Sequence, residues 1–320
     1  MSEQPDAVPP APETRVVPVT DANLEDFLSY CSLRGPEHDD SYLPGAGFRP
    51  DADHPSFLLL RDGRPAGAAS LLLEAEHRAA RRARFAVLHA EGGRREYFDL
   101  LGAAAAAAVP FAGELFLFLP EARAETLSCL REAGFAVERR AFEMARDDPD
   151  LEAPSAPPGY RLEPLRPGDG KGIRAYVEVR NRNFREVLGS LPIGDGTVRA
   201  DLEDPGVPPG GLAVLRAPDG SACGTMRAER DVDPECLSIG ALSVDRKHRG
   251  RGLGRFLLRS AAALGRREGF RTLSLSVNAL NENALGLYES EGFSVRGTWV
   301  CLSASVPVVL ARTVPGAGEG

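Results

Sequence analysis

Leu253, Phe256, Leu257, Ala261 and Leu264 recur at the 3.6-residue period with arginines opposite, and this spacing predicts an amphipathic helix over 250–269. Before it, 237–244 is a short apolar run of the kind that forms a central strand. After it the pattern predicts a strand over 272–277, a helix over 283–291 and a hairpin from 293–302 and 306–311. Upstream lie a short strand at 161–165, a helical stretch, and a hairpin over 212–229 whose turn is marked by Asp219-Gly220. The first part of the chain starts the same way. A strand at 15–20 leads into a helical stretch and then a hairpin over 56–73, turned at Asp62-Gly63. Strands alternating with helices after an antiparallel start predict an α/β fold with a mixed sheet.

The likeness of the halves extends to residues. Arg15-Val-Val-Pro18 matches Arg161-Leu-Glu-Pro164, the Gly63 and Gly67 hairpin matches Gly220 and Gly224, and Leu130 to Phe135 matches Tyr288 to Phe293. Three matches kept in order, at offsets of 146, 157 and 158, point to a duplication. Between the halves, 147–159 carries four prolines and four acids, a linker composition. The expected organisation is a disordered tail at 1–14, a first domain at 15–146, the linker at 147–159, a second domain at 160–312 and a tail at 313–320.

Composition narrows the function. The chain has 320 residues and a formal charge of −8, from 38 Lys plus Arg and 46 Asp plus Glu. Such an acidic chain is unsuited to coating nucleic acid or an anionic membrane. Its five cysteines are scattered and form no C-x-x-C pair, which excludes a disulfide framework and a thiolate zinc site. His38, Asp39 and Asp40 sit together in a loop flanked by Pro36 and Pro44, which reads as a solvated turn, so no metal is expected. The acidic, Pro-rich start has no apolar run and is not a signal peptide. Leu100 to Leu119 contains Pro110, Gly113 and Glu114, so it reads as an Ala-rich helix followed by a strand, not as a membrane span. A soluble, cytoplasmic protein is expected, monomeric or homodimeric.

Against the acidic background, 237–275 holds nine Lys or Arg and two acids, a local charge of +7. Its centre runs from Val244 through Lys247, Arg249, Gly250, Arg251, Gly252, Leu253 and Gly254 to Arg255, at a strand end and into a helix. Glycines there allow a tight turn and leave the first helical N–H groups unobstructed for a phosphate. The G-x-G-x-x-G dinucleotide pattern fails at both possible starts, and no G-x-x-x-x-G-K-[ST] exists. Alone, these glycines fit equally well a turn beneath a solvated arginine face.

Arg249-x-x-Gly252-x-Gly254, followed some thirty residues on by Asn281-x-x-Ala284-x-x-x-Tyr288-x-x-x-Gly292-Phe293, resembles the GNAT acetyltransferase superfamily. The order of elements over 160–311 fits that family. The resemblance implies two tandem GNAT-like domains, each a mixed, mostly antiparallel sheet flanked by helices, and acetyl-CoA as the acyl donor. It implies that Leu242, Ser243 and Val244 pair with the pantetheine arm where their strand splays from its neighbour. Arg249, Gly250, Arg251, Gly252, Leu253, Gly254 and Arg255 would hold the pyrophosphate, and Asn281 would sit near the pantetheine or thioester. Tyr288 matches the family's usual general acid, a phenol placed to protonate the departing thiolate. Simple packing beside Leu285 and Leu287 is the competing account of that tyrosine.

Where family members carry a glutamate on the strand, this chain has Ser238-Ile239-Gly240-Ala241, so no base is named. Glu229, Asp231, Asp233 and Glu235, just upstream, read as a solvated hairpin. Counting back 158 from Arg249–Gly254 gives Glu91-Gly-Gly-Arg-Arg-Glu96, without the glycine motif and with a carboxylate at each end, and Leu130 stands in place of Tyr288. The first half therefore reads as a degenerate repeat, an architecture similar to the mycothiol synthase type of tandem GNAT chain. Arg78, Arg81, Arg82 and Arg84 read as a solvated face. The segment 176–208 is where the acceptor would be chosen, and its acids and arginines suit a polar small-molecule amine. A protein or peptide N-acetyltransferase, or a non-catalytic acyl-CoA sensor, remain alternatives.

Overall fold

The periodic helix and the apolar run before it become neighbours in the computed structural model of the chain, which describes residues 13–314 except 35, 36, 38, 40, 153, 188 and 189. In chain order the elements begin with β1 (Thr14–Pro18), α1 (Leu24–Arg34), β2 (Ser56–Arg61), β3 (Arg64–Leu72), α2 (Ala75–Ala80) and β4 (Arg82–Ala90). They continue with α3 (Arg94–Ala108), β5 (Glu114–Pro120), α4 (Ala124–Glu132) and β6 (Ala136–Arg146). Then come β7 (Arg161–Pro164), α5 (Gly170–Phe184), α6 (Asp195–Glu203), β8 (Leu212–Arg216), β9 (Ala222–Arg230) and β10 (Cys236–Val244). After a 3-10 turn at Arg246–His248 the chain ends with α7 (Leu253–Arg267), β11 (Thr272–Asn278), α8 (Glu282–Ser290), β12 (Ser294–Ser305) and α9 (Val306–Thr313).

These elements form two compact units. Unit 1 takes the chain up to Glu138 and again from Val300, and unit 2 is Arg139–Trp299. The chain thus changes unit within β6 and again within β12. This differs from the partition expected at 147–159, because strand pairing ignores linker composition. The Arg146 to Ala141 stretch of β6 pairs antiparallel with Leu273 to Asn278 of β11, inside unit 2. The proline-rich stretch is likewise part of unit 2, where Asp150 meets Arg266 at 2.5 Å and Glu152 meets Arg259 at 2.5 Å. Residues 1–12 and 315–320, which carry most of the two expected tails, lie outside the described residues.

In unit 1 the strands run β1-β2-β3-β4-β5-β12, antiparallel from β1 to β4 with β4–β5 parallel. The Ala-rich stretch forms α3, whose Leu100, Leu101, Ala104, Ala105 and Ala108 are fully buried. Against it lies α9, and here the sequence expectation of a strand at 306–311 is corrected. The β-branched run Val-Pro-Val-Val favours a strand by propensity, but proline at the first turn of a helix is permitted. Val306, Val309 and Thr313 then share one buried face, and tertiary packing decides the outcome. The basic run is corrected at three of its four arginines, since only Arg81 is exposed. Arg82 pairs with Glu114 and Glu138, Arg84 pairs with Asp39, and Arg78 stacks 4.0 Å from the Phe111 ring centroid. Long aliphatic stems next to apolar rings explain why these arginines lie down on the protein instead of facing water.

In unit 2 the strands run β6-β11-β10-β9-β8-β7, antiparallel except for β10–β11. Alternation along the strands separates two cores. Leu212 and Val214 face Ile173 and Tyr176 of α5 and Val198 of α6, whereas Ala213, Leu215, Leu237, Ile239, Leu273 and Leu275 face α7. The buried side of α7 includes Leu253, Phe256, Leu257, Leu258, Ala261 and Leu264, and each large side chain contributes about 1.5–3 kcal/mol by burial. Among the described residues no helix is long and apolar enough to cross a membrane. Among them, too, no group of three or more His, Cys, Asp or Glu side chains is arranged to hold a metal ion. His38 and Asp40 of the loop singled out above lie outside the described residues.

Candidate active site in unit 2

The parallel pairing of β10 with β11 stops at Ile239 opposite Leu275, although both strands continue. The cause is local. On the β9 side the register runs Gly240 opposite Arg227 and then Ser243 opposite Thr225, so two residues, Ala241 and Leu242, stand against one. This is a β-bulge, and such bulges bend the strand that carries them. Ala241 adopts a left-handed backbone with φ +45°, a strained choice for a residue with a Cβ. Thr225 holds it there: the Thr225 hydroxyl donates to the Ala241 carbonyl at 2.8 Å and lies 2.7 Å from the Ser243 hydroxyl. Asn183 of α5 donates to Ser243 Oγ at 3.0 Å. Leu242, Ser243 and Val244 are therefore placed on the edge that leaves β11, with the Ser243 side chain committed to α5 and β9. Leu242 and Val244 pack against the α7-side core.

The strand then feeds the glycine loop. Gly250 and Gly252 have φ of +76° and +78°, a conformation that favours glycine, and Gly252 is the N-cap of α7. No side chain caps this helix end, so the first-turn N–H groups of Leu253, Gly254 and Arg255 are left without a capping partner at the positive end of the dipole. The arginines fix the loop. Arg249 Nε donates to the Val244 carbonyl at 2.9 Å, and Arg251 Nη1 donates to Tyr160 Oη at 3.0 Å. The Tyr160 hydroxyl also lies 2.9 Å from His248 Nδ1, and Arg182 grips Asp245 with two bonds of 3.0 and 2.6 Å. Arg255 Nε meets Glu291 at 2.6 Å and Arg255 Nη2 donates to Ser290 Oγ at 3.0 Å.

Helix α8 stands beside this opening. A Cβ on Gly254 would lie 3.2 Å from Leu287 Cδ2, so the glycine sets how closely the two helices approach. Asn281 caps α8, its Oδ1 accepting from Ala284 N at 3.3 Å, which leaves its NH2 as the group free to face a ligand. Tyr288 is half-buried, 6.1 Å from the Phe293 ring centroid, and its hydroxyl bonds no other described residue. Burial pushes the Tyr288 phenol up to about 12, so it stays protonated across the neutral range.

Of the four acids read as a solvated hairpin, Asp233 and Glu235 are exposed in the turn between β9 and β10, whereas Glu229 and Asp231 correct the expectation. Arg227 Nη2 lies 2.7 Å from Glu229 and 3.1 Å from Asp201 of α6. Burial pushes both carboxyls up. Asp231 accepts from Ser274 Oγ at 2.7 Å. These groups share the α5–α6 side of the sheet, whose period-2 alternation the charge count alone hides. Sequence reasoning also missed Ala241, Thr225, Tyr160 and Glu291. The first three carry no local signal, whereas Arg255 and Arg259, one helical turn apart, could have pointed to an acid between α7 and α8.

A bulge-opened strand edge that leads into an uncapped, glycine-initiated helix end offers backbone groups to an extended, phosphate-bearing ligand. Residues 176–293 match the model of the Acetyltransferase (GNAT) family. Streptothricin acetyltransferase of Streptomyces lavendulae is 29% identical over 160 residues, 43% of this chain and 83% of that protein. Mycothiol acetyltransferase of Acidimicrobium ferrooxidans is 28% identical over 221 residues, 65% of this chain and 70% of that one. Three other curated relatives are matched over 27%, 41% and 48% of their lengths. Among solved structures, a tandem GNAT protein from the clavulanic acid biosynthesis pathway superposes with a TM-score of 0.69 at 19% identity, covering 92% of this chain and 99% of that one. The family match lies within unit 2, and the fold over 92% of the chain is that of a tandem GNAT protein.

Proposed function

We propose that this protein transfers an acetyl group from acetyl-CoA to a primary amine of a small, polar molecule, with the chemistry in unit 2. The observation that carries the reading is the uncapped start of α7 at Gly252, directly continuous with the strand edge that the Ala241 bulge turns away from β11. The first-turn amides suit a pyrophosphate, and the edge of Leu242 to Val244 suits the amide groups of a pantetheine arm. Relatives named for streptothricin and mycothiol acetylation favour a small-molecule acceptor.

In this reading the amine nitrogen attacks the thioester carbonyl carbon and forms a tetrahedral intermediate. The C–S bond breaks as the carbonyl re-forms, and the CoA sulfur takes the Tyr288 proton. The new amide nitrogen releases its extra proton to water, and the phenolate recovers one from solvent. A phenol held protonated by burial is always in the form this step requires. The strand edge supplies backbone N–H groups to polarise the thioester oxygen. The protein acts as a soluble cytoplasmic enzyme.

The test is calorimetric titration of the full chain with acetyl-CoA, followed by thiol release from acetyl-CoA with a panel of amines. Binding plus amine-dependent thiol release is expected. No binding discards the transferase reading, and binding without release for any amine or peptide leaves an acyl-CoA sensor.

A further inference from the structure

We propose that Glu96 is a built-in ligand that fills the phosphate-binding helix end of unit 1, so the protein takes up one acetyl-CoA per chain. The inference rests on the reading of α7 above and extends it to the other unit. The two helices occupy equivalent places. Each follows a strand that pairs parallel with the next strand, β4 with β5 and β10 with β11, and each starts at a glycine N-cap, Gly93 or Gly252. The third helical residue is Arg255 in α7 and Glu96 in α3.

Arg255 turns aside to Glu291 and leaves its helix end open. Glu96 turns back. Its Oε2 accepts from the Gly92 backbone N–H at 2.8 Å, and Arg61 of β2 clamps it with Nε to Oε1 and Nη2 to Oε2, both at 2.8 Å. The residue is only 7% exposed. A carboxylate held by a backbone N–H, a bidentate guanidinium and a helix dipole is chemically the binding mode of a phosphate oxygen pair. A Cβ on Gly92 would overlap this carboxylate, so Glu96 packs directly against the backbone that precedes the helix.

The rest of the cleft agrees. A cavity of about 260 Å³ survives beside the plug, lined by Arg34, Arg123, Glu37, Glu91 and Glu125 among others. Acids outnumber arginines there, and Arg34 is already engaged by Glu37 and Glu91. That lining repels a polyphosphate where α7 attracts one.

Calorimetry of the full chain with CoA decides the first arm. One equivalent in the wild type and none in Gly252→Asp is expected. Two equivalents in the wild type, or one surviving in Gly252→Asp, overturns the proposal. If neither protein binds CoA, the transferase reading falls while the Glu96 assignment passes to the second arm. There, Glu96→Ala in the Gly252→Asp background is melted with inorganic pyrophosphate or with sodium chloride of equal ionic strength. A melting temperature several degrees below that of Gly252→Asp, recovered by millimolar pyrophosphate beyond the chloride control, is expected. The recovery should disappear when Arg61→Ala is added. A Glu96→Ala protein indifferent to pyrophosphate overturns the assignment. Should that variant fail to fold, the stoichiometry of the wild type still decides.

Discussion

Arg259 and Glu291 meet in a two-pronged pair, Nε to Oε2 at 2.8 Å and Nη2 to Oε1 at 3.0 Å. With Arg255 on the same carboxylate, 4% exposed, one acid ties α7 to the end of α8. Glu291→Gln keeps the shape and removes the charge. It should lower unfolding stability by about 1 kcal/mol in urea titration, because the buried carboxylate loses the charge that holds the exposed Arg255 and the part-exposed Arg259. Burial pushes the Glu291 carboxyl up, but the Arg259 hydrogen bond and charge outweigh it and hold the group below its ordinary value of 4.5. The folded state therefore prefers the charged form. Its contribution is complete above pH 4.5 and is lost as pH falls through the lower folded value. Wild-type stability should fall more steeply than that of Glu291→Gln on acidification below pH 4.5, and parallel curves would refute the linkage.

Tyr288→Phe should reduce kcat by about ten- to a thousandfold while acetyl-CoA affinity stays within about twofold. Since burial raises the phenol to about 12, the wild-type kcat profile should show no alkaline decline centred near pH 10, where an ordinary tyrosine ionises. A variant with full activity would reduce Tyr288 to a packing residue.

Gly252 has φ +78°, so Gly252→Ala strains the start of α7 by about 1–2 kcal/mol, and Gly252→Asp adds a carboxylate at the anion pole. Acetyl-CoA affinity should fall modestly in the first and by more than about a hundredfold in the second, a difference that calorimetry resolves. Equal affinities would separate this loop from the cofactor.

Tyr160→Phe deletes the hydroxyl that joins Arg251 to His248 but leaves the ring in place. The expected effect is a KM for acetyl-CoA about three- to tenfold higher with kcat nearly unchanged. A fall in kcat alone would show that Tyr160 acts on chemistry instead of on the loop.

What the sequence disclosed follows from how local each requirement is. Gly250 and Gly252 are legible because a backbone at positive φ favours glycine, and α7 because its period exposes one apolar face. Asn281 is legible only through the motif it opens, and its capping of α8 is seen only in the fold. By contrast, nothing within β6 announces a partner some 130 residues further on, because a strand of alternating charge reads as any edge strand. The α9 segment has strand-like residues and is made helical by α3, which only the folded core reveals. The Ala241 bend is silent for the same reason, since Thr225 imposes it from the neighbouring strand.

The crossings within β6 and β12 make unit 2 an insertion inside unit 1. On the ribosome this reverses the usual order. Unit 2 is complete in sequence at Trp299, whereas unit 1 still waits for Val300, Leu302, Val306 and Val309 to fill its core. The half that is synthesised first is therefore the half that closes last, and its apolar faces must stay unpaired while the inserted unit is already able to fold.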